Sequence, residues 1–215
     1  MKSLSLLLAS LLVSSALQAQ APATGEKLPD VKVRIKNVQV EEQQTPQLNV
    51  SNIKMKRWTP KNWIEFDVEF DIKLPAEAGG RKGSYSGMQL NIYAALQEMT
   101  KEAAGGKPKR IVLQGTLDLL DIPADEPCHA LGYISPAMMK SITQKDSVTA
   151  SVDIQGWGVE IIVDGKVIAA KASVGKTAWW ENKDIYQIMQ GTVLNKMQTP
   201  FAAVFGDYDV PVKVK

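Results

Sequence analysis

Across residues 63–74 every second position is apolar. Ile64, Phe66, Val68, Phe70, Ile72 and Leu74 alternate with Glu65, Asp67, Glu69, Asp71 and Lys73. No helical face can be drawn through a period of two, so the segment predicts a strand with one face in a core and one in water. Pro75 and the Gly79-Gly80 pair end it. Residues 31–40 repeat the pattern: Val31, Val33 and Ile35 alternate with Lys32, Arg34 and Lys36. Val38 and Val40 then sit on the opposite parity, which predicts a bulge near Asn37. Residues 48–57 show the same slip.

Further strands are expected at 88–96, 110–121, 147–154, 159–163 and 166–172, with a last one at 210–215. Residues 98–109 read as a loop with a helical turn. Asp164-Gly165 links two of the strands. A two-residue link of this kind needs positive φ at both positions, so it predicts a tight hairpin. Two segments read as helical. Ser135 and Pro136 supply an N-cap and a first helical residue. In 182–197, Ile185, Ile188, Met189 and Val193 repeat at three- and four-residue spacing, weakened by Gly191 and stopped by Thr199-Pro200. Eight or nine strands with two short helices predict a mainly β fold, a two-sheet β-sandwich. The Cys…Trp…Cys marker of antibody domains is absent, so the sandwich is immunoglobulin-like only in the loose sense. The alternative is an α+β domain with 182–197 packed across one sheet.

The N-terminus has a different layout. Met1-Lys2 precedes an apolar Leu/Ser/Ala run over 4–17, which turns small and polar at Gln18-Ala19-Gln20-Ala21. This predicts a secretory signal peptide over 1–19, cut after Ala19 because a cut after Ala21 would place Pro22 at the scissile bond. Residues 20–30 then form a flexible leader, and 31–215 the β-sandwich domain. With no Cys near the cut and no later apolar run of spanning length, the expected product is exported, soluble and not membrane-spanning, located in the periplasm, at the cell surface or outside the cell.

Charge and rare residues narrow the function. Over 215 residues, 25 Lys+Arg against 23 Asp+Glu leave a net charge of +2, no footprint for nucleic acid. One Cys forbids an internal disulfide, and one His excludes sites built on two histidines. Glu65, Asp67, Glu69 and Asp71 lie two apart on one strand face, about 7 Å between neighbours. That spacing could suit paired carboxylates of glycoside hydrolysis, or calcium, but their alternation predicts a solvated charged face. Lys54 and Lys56 could sit opposite them. Cys128-His129 offers a thiol beside an imidazole, yet adjacent residues leave the backbone in different directions and no second His exists. Neither a Gly-x-Ser-x-Gly elbow nor a P-loop is present. No catalytic residue, metal ligand or cofactor site is therefore expected.

Five tryptophans, Trp58, Trp63, Trp157, Trp179 and Trp180, are core or edge-covering residues, or a platform for sugars. The row Lys32, Arg34, Lys36 and the parity slip near Asn37 are devices of edge strands, so 31–40 is the candidate edge for pairing with a partner.

The Trp179-Trp180 pair, the run 194–201 (LNKMQTPF) and the closing Phe205-Gly206-Asp207-Tyr208 resemble small exported immunoglobulin-like proteins encoded beside a type IV pilus gene cluster in mucus-dwelling, Verrucomicrobia-type bacteria. The resemblance implies a sandwich similar to archaeal pilus components and a pilus-associated or cell-surface role. It implies no activity and no site residues. A type IV pilin keeps a long apolar N-terminal helix after cleavage. Here the apolar run precedes the cut, so an accessory, minor or adhesive component is implied. The sequence thus predicts a non-enzymatic exported protein acting by protein–protein contact, with pilus components or with itself as a homo-oligomer. The alternative is a carbohydrate-binding module for glycan or mucin.

Overall fold

The computed structural model describes residues 30–47, 51, 54, 56–100, 107–175 and 178–214. The expected signal peptide and all but the last residue of the leader lie outside the described residues. Along the described chain run β1 (Lys32–Gln44), β2 (Asn62–Lys73), β3 (Ser84–Tyr85), β4 (Met88–Met99), β5 (Arg110–Leu119), β6 (Ile122–Pro123) and β7 (Cys128–Ile134). Helices α1 (Pro136–Thr143) and α2 (Ala150–Asp153) follow, then β8 (Ile154–Val163), β9 (Lys166–Ala172), β10 (Tyr186–Met189) and β11 (Leu194–Asn195).

These strands form a mostly β structure of two main sheets, β1-β2-β7-β11 and β10-β5-β4-β8-β9, with β3-β6 as a small ribbon. The alternation in β2 has the expected consequence. Ile64, Phe66, Val68, Phe70 and Ile72 are wholly buried in one core shared with Leu90 and Ile92 of β4, Leu113 and Leu117 of β5, and Val159 and Ile161 of β8. Each such side chain contributes about 1.5–3 kcal/mol on burial. Gly132 on β7 shows how closely the sheets approach: a Cβ there would lie 2.4 Å from Cδ1 of Ile92.

Local signals hold where the backbone itself is constrained. The register of β1 on β2 shifts between Ile35 and Asn37, which makes Lys36 the bulged residue. Asp164 and Gly165 adopt φ of 50° and 72° and close β8 on β9. Ser135 caps α1, its hydroxyl accepting from the Met138 amide at 3.1 Å, with Pro136 in the first turn.

Four expectations are corrected. Residues 182–197 are not a helix: 186–189 pair parallel to β5, Gly191 turns at φ 70°, and the Thr192 amide donates to the Gln114 carbonyl. Gly and β-branched Ile, Thr and Val are weak helix formers, and the free edge of β5 offers their backbone better partners. The α+β alternative falls with that helix. Residues 147–154 are not a strand, because 150–153 wind into α2. The Asp153 carboxylate accepts from the Thr149 amide at 2.7 Å and from Lys145 at 2.5 Å. The 210–214 stretch makes a single bridge, Val212 to Leu119, since Pro211 has no amide to continue a ladder. Of 48–57, the described Ser51, Lys54, Lys56 and Arg57 belong to no strand. The 101–106 part of the expected 98–109 loop lies outside the described residues, and β4 runs on to Met99.

Candidate functional surfaces

The carboxylate row on β2 is where sequence and structure diverge most. Only its end behaves as expected. Asp71 pairs with Arg34 at 2.6 Å, and Lys36 lies 3.6 Å from Glu69 and 3.5 Å from Asp71. The hydrogen bond from Arg34, with its charge, holds the Asp71 carboxyl below the usual range. These cations come from β1, not from Lys54 and Lys56. Glu65 and Asp67, by contrast, are only 6% and 9% exposed.

Two later parts of the chain cover them. Strand β7, which the sequence reading missed, sits beside β2 and turns Leu131 and Tyr133 to the same outer face. Both faces of β7 are apolar, so its sequence CHALGYI carries no alternation; that continuity signals a strand covered on both sides. The C-terminal segment then lies over it. Phe201 stacks on Tyr133, with centroids 4.7 Å apart, and meets Trp63 edge-on at 5.8 Å.

Beneath this cover the polar groups bind one another. The Tyr208 hydroxyl donates to one oxygen of Asp67 at 2.5 Å, and Nδ1 of His129 lies 2.8 Å from the other. Lys196 donates to Asp209 at 2.5 Å and to the Phe205 carbonyl at 2.6 Å, while the Val210 amide donates to the His129 carbonyl. Burial raises the Glu65 carboxyl above its ordinary range, and the neighbouring charges of Glu41 and Asp67 add to this. The Tyr133 hydroxyl is buried near Glu65 without a well-formed hydrogen bond, and burial with that carboxylate also raises the phenol. Chemically this is an oriented imidazole whose carboxylate partner is shared with a phenol. Cys128 cannot serve it, because along β7 it points into the core while His129 points outward. Burial pushes the Cys128 thiol up to about 11.

The outer face of the second sheet is covered in the same way. Trp180 stacks on Tyr93 at 4.5 Å, and the Glu160 carboxylate accepts from both, at 2.9 Å from Tyr93 and 3.2 Å from Trp180. Gly158 makes room for the indole, since a Cβ there would lie 1.8 Å from its ring. Trp179 is half-buried against Trp180 and Tyr186, and Trp157 packs on the core. The adjacent pair lies in a 3-10 turn, so it covers the sheet and does not straddle a strand. Gly156 and Gly158, two apart on one face of β8, were the sequence signal for such a cover.

Two accessible features present apolar surface. Strands β1 and β9 are edges of their sheets and lie beside each other, with the Lys171 ammonium donating to the Lys36 carbonyl at 2.5 Å. On β9, Val167 and Ile168 are 52% and 40% exposed. At the other end of β1, a groove of about 920 Å³ runs between Thr45, Trp58, Trp63, α1 and Pro200. Among the described residues no cluster of His, Cys, Asp and Glu could hold a metal ion, and no helix is long and apolar enough to cross a membrane.

Comparison with known proteins adds the family. No curated protein matches the chain. A crystal structure of a protein from Akkermansia muciniphila matches with a TM-score of 0.69 at 21% identity, over 89% of this chain and 97% of that one. At that identity the likeness establishes the fold. A protein-family model matches residues 24–215. Because that match takes in the whole sandwich, the chain belongs to the family.

Proposed function

We propose that the protein is an exported envelope component that acts by contact with other proteins, associated with a type IV pilus, and not by catalysis. The observation that carries this reading is the β9 edge, where Val167 and Ile168 stand exposed on the outermost strand of its sheet while Glu65, Asp67 and Glu160 of the outer faces are buried. An edge strand can add a strand from a partner through main-chain hydrogen bonds, and exposed aliphatic side chains supply the apolar contact. The neighbouring β1 edge extends the same surface. Each edge carries a bulge, at Lys36 on β1 and at Ile168 on β9, and the Lys171 contact further limits pairing on β1, so a partner strand has its regular ladder on either side of Ile168. The envelope setting rests on the export signal read in residues 1–19 and on the resemblance of the C-terminal third to exported pilus-associated proteins.

The test places a photo-crosslinking residue at Ile168 in the native envelope and identifies the adducts by mass spectrometry. A pilus component or a second copy of the chain is the expected adduct, abolished by Val167→Lys. Failure to crosslink at Ile168 and at Arg34 alike overturns the reading.

A further inference from the structure

We propose that the groove between Trp58 and α1 binds an anionic oligosaccharide. This site is separate from the β1/β9 edges and does not depend on them. Three observations carry the proposal.

The first is shape and lining. The groove is open, about 920 Å³, and mostly apolar, with the Trp58 indole half exposed at its wall. An indole face stacks on the C–H face of a pyranose ring, and that contact needs a flat, accessible aromatic held in place. The second indole is held firmly. Trp63 donates from Nε1 to the Thr45 hydroxyl at 3.1 Å, and that hydroxyl donates to the Lys61 carbonyl at 2.9 Å. The T-shaped contact with Phe201 fixes the ring from behind. The groove therefore has a preorganised floor, which reduces the ordering cost of binding.

The second observation is charge. Between Glu42 and Glu65 the chain contains no acidic residue but carries Lys54, Lys56, Arg57 and Lys61. All four cations are exposed, and among the described residues none of them makes an ion pair within salt-bridge distance. Lys140, at the groove, is held by Asp146 at 2.5 Å, and the Lys61 charge also acts on that carboxylate. Lys61 and Lys140 line the groove and no acidic residue does, while Lys54, Lys56 and Arg57 lie within four residues of Trp58 along the chain. On a chain whose net charge is only +2, this local excess of cations favours an anionic ligand.

The third is the combination. A cationic strip alone would accept any polyanion. A cationic strip bordering an accessible indole, with Thr59 and Ser141 hydroxyls on the lining, matches a ligand with flat apolar ring faces, hydroxyls and carboxylate or sulfate groups together. Acidic sugars carry all three on each residue; an acidic peptide lacks the ring face.

The experiment titrates the protein with a chondroitin sulfate hexasaccharide, neutral cellohexaose and poly-L-glutamate, reading tryptophan fluorescence and calorimetric heat. The sulfated hexasaccharide should bind and perturb the fluorescence, with affinity falling as salt rises. Trp58→Ala should weaken it about ten-fold or more, and Trp58→Tyr should restore most of the loss. The triple variant Lys54→Ser, Lys56→Ser, Arg57→Ser should weaken it and flatten the salt dependence. Trp58 and the three cations are exposed, so unchanged near-ultraviolet circular dichroism will show the variants folded. No binding of the hexasaccharide, or binding indifferent to Trp58→Ala, overturns the proposal. Poly-L-glutamate binding as tightly, with the same dependence on Trp58, also overturns it and assigns the groove to acidic peptides.

Discussion

Replacing Lys196 by Met should unlock the C-terminal cover of the first sheet. Lys196 is 4% exposed, and the side chain of its partner Asp209 is 8% exposed. The ammonium meets Asp209 at 2.5 Å and the Phe205 carbonyl at 2.6 Å. Removing it leaves a buried carboxylate without its counterion and a carbonyl without its donor. Breaking a buried pair from one side costs about 3–5 kcal/mol, a fifth or more of the roughly 5–15 kcal/mol that a domain commonly has. Replacing both partners, Lys196→Met with Asp209→Leu, removes the stranded charge, so the double variant should return to within about 2 kcal/mol of the parent. The two substitutions are therefore far from additive, the double variant costing much less than the sum of the singles. Urea unfolding followed by tryptophan fluorescence measures all three variants, and limited proteolysis shows whether 202–209 becomes cleavable in the single variant. A cost below about 1 kcal/mol for Lys196→Met, or a double variant less stable than either single, would refute the view that this pair clamps the cover.

Three further outcomes are expected. Phe66→Ala and Phe70→Ala, which each empty a wholly buried site, should cost about 3–5 kcal/mol in the same urea assay. The folded Glu65 carboxyl is raised above its unfolded value, so the native state holds its proton longer; its share of stability is highest below the unfolded pKa and declines as pH rises through the folded one. Glu65→Gln should therefore flatten the fall in stability on that alkaline side, visible in melts between pH 4 and 8. Cys128, buried and with its thiol pushed up to about 11, should resist a thiol reagent in the native protein at pH 8 and react fully in urea. Rapid labelling of the folded chain would contradict its placement in the core.

How much of this was legible in the chain differs by element. The alternation in β2 placed five core residues, and a dipeptide, Asp164-Gly165, placed a hairpin, because both signals act within a few residues. The helix expected at 182–197 failed for the opposite reason. Its apolar spacing fits a helix, but the partner that wins its backbone is Gln114, far away in sequence. Among the surfaces, the β1 edge and its bulge were legible, and so was the divergence of the adjacent Cys128 and His129 side chains, though not the strand β7 that carries them. The groove was not, because it joins Thr45, Trp58, the start of α1 and Pro200, which only the fold brings together.

The β2 carboxylates give the sharper physical lesson. Period-two alternation says that Glu65 and Asp67 share a face with Trp63, and the structure agrees. It does not say what lies over that face. Water was the expected cover because four carboxylates on one strand are cheapest in water. The chain instead spends 196–210 there, and the cost of burying Asp67 is offset by two donors, Tyr208 and His129, one from the cover and one from the neighbouring strand. Glu65 has only the long contact from the Gln43 amide at 3.4 Å and the nearby Tyr133 phenol, and burial keeps its carboxyl raised despite them. The same logic acts on the second sheet, where Glu160 is buried under Trp180 and accepts from two neutral donors. Covering part of each outer face takes Glu65, Asp67 and Glu160 away from solvent, while Gln89, Gln114, Thr116 and Asp118 on the second sheet and Arg34 and Glu69 on the first stay at least partly accessible. The accessible features with apolar contact surface that bear most directly on recognition are peripheral: the β9 edge with its bare aliphatic side chains, and the groove walled by an exposed indole. Binding by this protein should therefore be sensitive to Val167, Ile168 and Trp58, and indifferent to conservative changes at Glu160.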